Sequence, residues 1–177
     1  MNEQLAKLLA REDITVVEKP VRTASFDLKN RVLTLPMWED MDKDTEDHMT
    51  GHEVGHSLYT PLDEHMEAVK DRPRAFHGFL NIVEDARIEK KIQRRYPGLK
   101  KSFIKSYKKM LKNGFFGGDI DYINSLKLID RLNCYFKLGR TAGVEFAPEE
   151  MVWVEKVDKV VSFGDAVVVA AELYADA

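Results

Sequence analysis

Gly-His-Glu-Val-Gly-His, residues 51–56, contains the sequence H-E-x-x-H. On an α-helix this spacing places His52 and His56 one turn apart on the same face, where their nitrogens can bind one zinc ion. Glu53, rotated by about 100° around the helix, can take a proton from a water molecule beside that ion. The motif therefore predicts a helix that carries the zinc site of a hydrolase.

Two ordinary histidines on an unrelated helix would show the same spacing, so the neighbouring residues matter. Gly51 and Gly55 lie one turn apart inside this segment, and each glycine costs a helix about 1 kcal/mol relative to alanine. Two such costs indicate that another segment packs closely against the helix, as in a crowded metal site.

The helix that carries the motif is predicted over residues 44–60. Asp44 and Thr45 are typical N-cap residues. Pro61 ends the helix, because the residue before a proline avoids the helical backbone conformation. A second long helix is predicted over 73–96.

A catalytic zinc site usually has three protein ligands, so a second segment must supply one. The stretch 81–89, which reads NIVEDARIE, places acids inside an apolar part of the helix predicted over 73–96. Buried carboxylates are costly unless they are paired or bind a metal. Glu84 is the predicted third ligand and Asp85 is its rival, which could instead hydrogen-bond the far N–H of a ligand histidine. The alternative is a network of surface charges.

The β structure is predicted in residues 14–35. Residues 14–18 are mostly β-branched, and residues 23–28 alternate between apolar and polar side chains. Lys29-Asn30 connects the latter to residues 31–35 as a hairpin. Strands followed by helices indicate an α+β fold, in which a small antiparallel N-terminal sheet precedes a mostly helical domain.

The rest of the chain is predicted to be helical, as part of a single domain over 1–177. Its apolar C-terminal end suggests that residues 100–177 continue into a further domain. Helices are predicted at 2–12, 100–112, 120–138 and 148–161, whereas 165–175 fits a helix and a strand equally well.

The composition restricts both the kind of metal site and the expected location of the protein in the cell. The chain has 177 residues, a net charge of −3 and a single cysteine, Cys134, which excludes a disulfide within the chain and a zinc site made of thiolates. The longest apolar run, 166–171, has six residues and is too short to span a membrane. The first residues lack the apolar core of a secretory signal, so we expect a cytoplasmic protein.

Residues 87–112 carry eleven lysines and arginines and one acid, Glu89. Tyr96, Phe103 and Tyr107 lie among them, and such aromatic side chains can stack on nucleic-acid bases. A helix face in contact with solvent is the ordinary explanation for this run. A nucleic-acid or acidic protein partner is the alternative.

The two metal-site segments together resemble a known family. Residues 51–60 read GHEVGHSLYT and residues 79–89 read FLNIVEDARIE. They are similar to zincin metallopeptidases whose third ligand is a glutamate, the gluzincins. More narrowly, they resemble a metallopeptidase-like domain of phage and bacterial proteins that often precedes a von Willebrand factor A domain. Relatives of cobaltochelatase and nitric-oxide-reductase activation proteins are examples, and residues 23–35 match loosely.

This resemblance implies a zincin-like fold and zinc-dependent hydrolysis of peptide bonds in a protein or peptide substrate. It implies that His52, His56 and Glu84 bind Zn²⁺ and that Glu53 is the general base. A von Willebrand factor A domain or an ATPase is the implied partner. Two alternatives stay open: a catalytically idle zincin-like scaffold that binds a partner such as an ATPase ring, and a nucleic-acid-binding domain that uses 87–112.

The chain departs from the family at the second helix. In gluzincins an acid follows the ligand glutamate by four residues, but that position here is Ile88. The acids spaced by four residues are instead Asp85 and Glu89, so the choice between Glu84 and Asp85 stays open. The group that stabilises an oxyanion is also open, among Tyr59, His77, Tyr107 and Tyr122.

Overall fold

The computed structural model describes residues 3–177, without the side chains of Gln4 and Leu8. It is an α+β fold with one small sheet and mostly helical structure, as predicted, although the first residue of the helix expected over 2–12 lies outside the described residues. No helix in the described range is long and apolar enough to cross a membrane.

In chain order the elements are α1 (Glu3–Ala10), β1 (Thr15–Lys19), β2 (Ser25–Asp27), β3 (Val32–Pro36), α2 (Lys43–Tyr59), α3 (Leu62–Val69), α4 (Arg74–Arg95), α5 (Leu99–Lys112), α6 (Ile120–Asn124), α7 (Leu128–Leu138), a 3₁₀ turn (Pro148–Glu150), α8 (Met151–Asp158) and α9 (Phe163–Asp176).

The sheet is mixed, not antiparallel as predicted. Its order is β1-β3-β2, with β2 antiparallel and β1 parallel to the central strand β3. The difference arises because β1 pairs with β3 and not with β2, its neighbour in sequence. Pro20 cannot extend β1, and the N–H of Val21 donates to the carbonyl of Lys19 over 2.8 Å, which turns the chain away from the strand.

The hairpin between β2 and β3 is at the predicted place, but its connection is longer than Lys29-Asn30. Asp27 pairs with Val32, so four residues separate the strands. One carboxylate oxygen of Asp27 accepts the N–H groups of Lys29 and Asn30, each over 2.9 Å. These bonds stabilise a wider turn, and they hold the pKa of Asp27 below its usual value.

The chain divides into two compact units, and the first comprises the described residues up to 62 together with 88–106. In this unit α2 packs against α1, β2 and β3. The close packing expected from the two glycines is present. A Cβ on Gly55 would lie 2.9 Å from Cδ1 of Ile88, and one on Gly51 would lie 3.0 Å from Cδ1 of Leu99.

Helix α2 has nearly its predicted length, and it is unusually polar for a buried helix. Its N-cap is Asp42, two residues before the predicted one, and the Asp42 side chain accepts the N–H of Thr45 over 2.8 Å. Nine of its 17 residues are buried, among them Asp47, His48 and Glu53. Buried polar side chains need partners, so their contacts indicate what this helix does.

The second unit comprises residues 63–87 and 107–177 and has a helical core. The helix predicted over 120–138 is two helices, because the region 125–127 interrupts it. There the Ser125 hydroxyl donates to the Tyr122 carbonyl over 2.6 Å, and Nε of Arg131 donates to the Leu126 carbonyl over 3.1 Å.

The other differences in this unit lie at helix ends and in short segments. Helix α3 was not predicted, and it has no buried residue among those described. The helix predicted over 148–161 is a 3₁₀ turn followed by α8. The ambiguous run 165–175 is helical, because Ser162 caps α9 by accepting the N–H of Asp165 over 3.0 Å.

Candidate metal site

Three side chains on α2 and α4 lie close enough together to hold a metal ion. His52, His56 and Asp85 each offer one ligand atom, and these atoms all lie within 4.8 Å of one another. Within residues 3–177 this is the one such group of histidine, cysteine or acidic side chains. It contains both histidines of the motif and one of the two rival third ligands.

His52 is held by a buried acid. Its Nδ1 lies 2.7 Å from Oε1 of Glu89, a residue that is 4% exposed. When the carboxylate is ionised it can only accept, so Nδ1 carries the hydrogen and Nε2 presents its lone pair. This is the contact by which metal-binding histidines are commonly oriented.

His56 is held by the residue that ends its helix. Its Nδ1 lies 2.9 Å from the hydroxyl oxygen of Thr60, and the Thr60 N–H donates to the His56 carbonyl over 3.0 Å. When the Thr60 hydroxyl accepts the hydrogen of Nδ1, Nε2 of His56 carries the lone pair that can bind a metal, as in His52. The rings of His52 and His56 are edge-on, with centroids 5.0 Å apart.

Glu53 is buried on the same helix, with 7% exposure. Its Oε1 lies 4.0 Å from Nε2 of His52. A carboxylate at this distance can contact a water molecule that lies beside such an ion. The placement fits the role predicted for Glu53.

Glu84 and Asp85 have different partners. Glu84, 2% exposed, accepts from Arg87 through both oxygens, over 2.8 and 2.6 Å. Arg87 also donates to the Val161 carbonyl over 3.3 Å. Asp85 accepts from Nζ of Lys137 over 3.1 Å through Oδ2. The structure thus brings Asp85 together with the two histidines and places Glu84 in a buried ion pair.

The residues considered for oxyanion stabilisation lie in varied surroundings. Nε2 of His77 is 3.1 Å from the Val69 carbonyl, and the ring of Tyr59 has the Lys91 ammonium 5.5 Å from its centroid. Tyr107 is buried, whereas Tyr122 is 45% exposed. A role for any of them stays a prediction.

Sequence reasoning missed the partners that orient the histidines, although one signal was present. Asp85 and Glu89 are the acids spaced by four residues, and the structure places the first with the histidines and the second on His52. Thr60 had no such signal in the sequence. Comparisons of the chain with protein-family models, with curated proteins and with solved structures give no match.

Proposed function

We propose that the protein is a zinc-dependent metallopeptidase that hydrolyses peptide bonds, with Glu53 as general base. The observation that supports this function is the group formed by His52, His56 and Asp85. It joins the H-E-x-x-H helix to a carboxylate from a second helix, and three protein ligands of this kind are typical of catalytic zinc sites.

The donor set fits zinc. Two imidazoles and one carboxylate leave a fourth position for water, and the only cysteine of the chain, Cys134, is buried in a separate cluster. Bonds of about 2.1 Å in a tetrahedron place ligand atoms roughly 3.4 Å apart. The described atoms are separated by up to 4.8 Å, a gap that side-chain rotation can close. We therefore propose Asp85, and not Glu84, as the third ligand.

Each residue has a defined task in this proposal. Bound zinc supplies a Lewis acid that polarises the substrate carbonyl and lowers the pKa of water. Glu53 takes the proton of the attacking water and returns it to the leaving amine. Glu89 and Thr60 hold the two imidazoles so that Nε2 of each faces the site.

One contact favours the alternative, a catalytically idle scaffold. Nζ of Lys137 lies 3.1 Å from Asp85 and neutralises its charge without a metal. A carboxylate has two oxygens, so this ion pair and a metal bond are compatible, and cleavage activity decides between the two functions.

The deciding experiment uses the whole chain, purified without chelators. We expect close to one equivalent of zinc by elemental analysis and slow cleavage of unfolded casein. Glu53→Gln should keep the zinc and lose the cleavage, because only the base is removed. Asp85→Asn should lose most of the zinc. Zinc below about half an equivalent in the unmodified protein would overturn the metal site, and zinc without cleavage would support the idle scaffold.

The choice of third ligand has a matched control in the neighbouring position. Glu84→Gln has the same shape as the natural side chain but can accept from Arg87 through one oxygen only, so circular dichroism must first show that it folds. We expect it to retain zinc, whereas Asp85→Asn does not. The reverse result would assign the ligand to Glu84.

A further inference from the structure

Helix α5 carries one face made of lysines. From Lys90 to Gly118 the sequence contains no acid. Four exposed lysines of α5 lie at intervals of four, three and four residues, which places them within an arc of roughly 60° at 100° per residue. We call this the lysine face, and it consists of Lys101, Lys105, Lys108 and Lys112.

The opposite side of α5 is buried, so the helix is fixed with the lysine face outward. Leu99, Phe103, Tyr107 and Met110 are each at most 7% exposed. They lie about 180° from the centre of the lysine face. The lysine face is therefore exposed whenever the protein is folded.

Burial also removes one mode of nucleic-acid binding. Phe103 and Tyr107 were candidates for base stacking under the nucleic-acid alternative, but their side chains are buried. The hydroxyl of Tyr96 donates to the Leu9 carbonyl over 3.1 Å. A surface without stacking aromatics is poorly suited to single strands, which are bound largely through base–aromatic contacts.

The lysine face has the chemistry of a phosphate-binding surface. Protein–protein interfaces are enriched in aromatic residues and arginine and depleted in lysine, whereas this face has four lysines and only one exposed apolar neighbour, Ile104. Its ends are 11 residues apart, or about 16 Å at 1.5 Å per residue. Duplex DNA carries about one negative charge per 1.7 Å of its axis. A row of cations that neutralises these charges releases condensed counterions, and this release favours binding.

We propose that the lysine face binds the phosphate backbone of duplex DNA without sequence preference. Lys105 is partly neutralised, because its ammonium lies 3.0 Å from Asp44. Lys101, Lys108 and Lys112 carry most of the interaction. This interaction does not depend on the metal site, so either proposal can fail while the other holds.

The test measures binding of the whole chain to a labelled 20-base-pair DNA duplex by fluorescence anisotropy over a range of KCl concentrations. Each phosphate contact contributes about 0.9 to the slope of log K against log salt. The variant Lys101→Gln/Lys108→Gln/Lys112→Gln should therefore lower the slope by about 3. A control with the same change of charge elsewhere, Lys29→Gln/Lys70→Gln/Lys159→Gln, should leave the slope unchanged.

Several outcomes would overturn the proposal. They are equal slopes for the two triple variants, tighter binding of single-stranded DNA or of polyglutamate than of duplex DNA, and binding confined to duplex RNA. If the first triple variant does not fold by circular dichroism, lysine methylation of the unmodified protein replaces it. Duplex DNA should then protect the lysine face and leave Lys29 reactive, and equal reactivity with and without DNA would contradict the proposal.

Discussion

Oε1 of Glu89 lies 2.7 Å from Nδ1 of His52, so a buried acid on α4 orients the first histidine of the motif on α2. The two residues are 37 positions apart in the chain. Their contact ties the motif to the helix that also carries Asp85. The same helix carries Glu84 and Asp85, the two candidates for the third ligand.

The first prediction concerns this contact. Glu89→Gln keeps the shape of the side chain and removes its charge, so it should weaken zinc binding by about tenfold, the lower range for such orienting residues. The measurement is competition for zinc with a chromogenic chelator. Glu67→Gln, at an exposed position on α3, is the control and should bind zinc like the natural protein. Equal affinities for all three proteins would show that Glu89 does not orient a ligand.

The identity of the third ligand could not be predicted from the sequence, and helix geometry gives the reason. Ile88 packs against α2 at Gly55. At 100° per residue, Glu84 and Asp85 lie about 40° and 60° to opposite sides of Ile88. Both positions are compatible with a site on α2. The choice depends on the partners Arg87 and Lys137, which sequence spacing does not reveal.

The second prediction concerns the close approach at Gly55. A Cβ there would meet Cδ1 of Ile88 at 2.9 Å, whereas a Cβ on Gly78 of α4 would have no atom within 4 Å. Gly78→Ala should stabilise the protein by about 1 kcal/mol through helix propensity. Gly55→Ala has the same gain but adds an overpacking cost of about 1–3 kcal/mol. Urea denaturation should therefore rank Gly55→Ala below Gly78→Ala by at least about 1 kcal/mol.

A second substitution tests the cause of that difference. Ile88→Val removes the methyl group that the new Cβ would touch. Combined with Gly55→Ala, it should cost less than the sum of the two single changes. Additive effects would mean that Ile88 is not the obstacle.

Much of the fold follows from local signals, and the errors come from contacts that are distant in sequence. The motif helix and the hairpin were predicted nearly in place, because N-cap residues, Pro61 and alternating polarity act locally. The parallel pairing of β1 with β3 was missed, because it joins Thr15 to Val32 across another strand. The burial of Phe103 could not be seen from the basic run for the same reason, since Phe103 lies against α2 at Gly51.

The third prediction concerns pH. Arg131 donates to both oxygens of Glu150, over 2.9 and 2.5 Å, and the Ala147 N–H donates to one of them over 2.9 Å. Arg131 first, and then this N–H, hold the pKa of Glu150 below its usual value. A carboxyl whose pKa is lower in the folded state stabilises that state above the unfolded pKa, about 4.3. This stability is lost as the pH falls through the folded value.

Thermal unfolding of Glu150→Gln should show this dependence. The variant should be less stable than the natural protein by about 1 kcal/mol at pH 7. The difference in stability should shrink steadily as the pH falls below about 4.3, because Glu150 is protonated at a higher pH in the unfolded state than in the folded state. Glu172→Gln, which removes the exposed pair with Lys156, is the control and should have little effect at any pH. A difference that stays constant down to pH 3 would contradict the assignment.

The last prediction separates a structural role of Glu84 from a ligand role. Removing one partner of a buried ion pair leaves an uncompensated charge and costs about 3–5 kcal/mol, whereas replacing both by apolar residues is often neutral. Arg87→Met should therefore be strongly destabilised in urea. Glu84→Leu/Arg87→Met should recover most of that loss. If Glu84 only pairs with Arg87, this double variant also keeps its zinc, because His52, His56 and Asp85 are unchanged. A folded double variant without zinc would make Glu84 the ligand and Asp85 its neighbour.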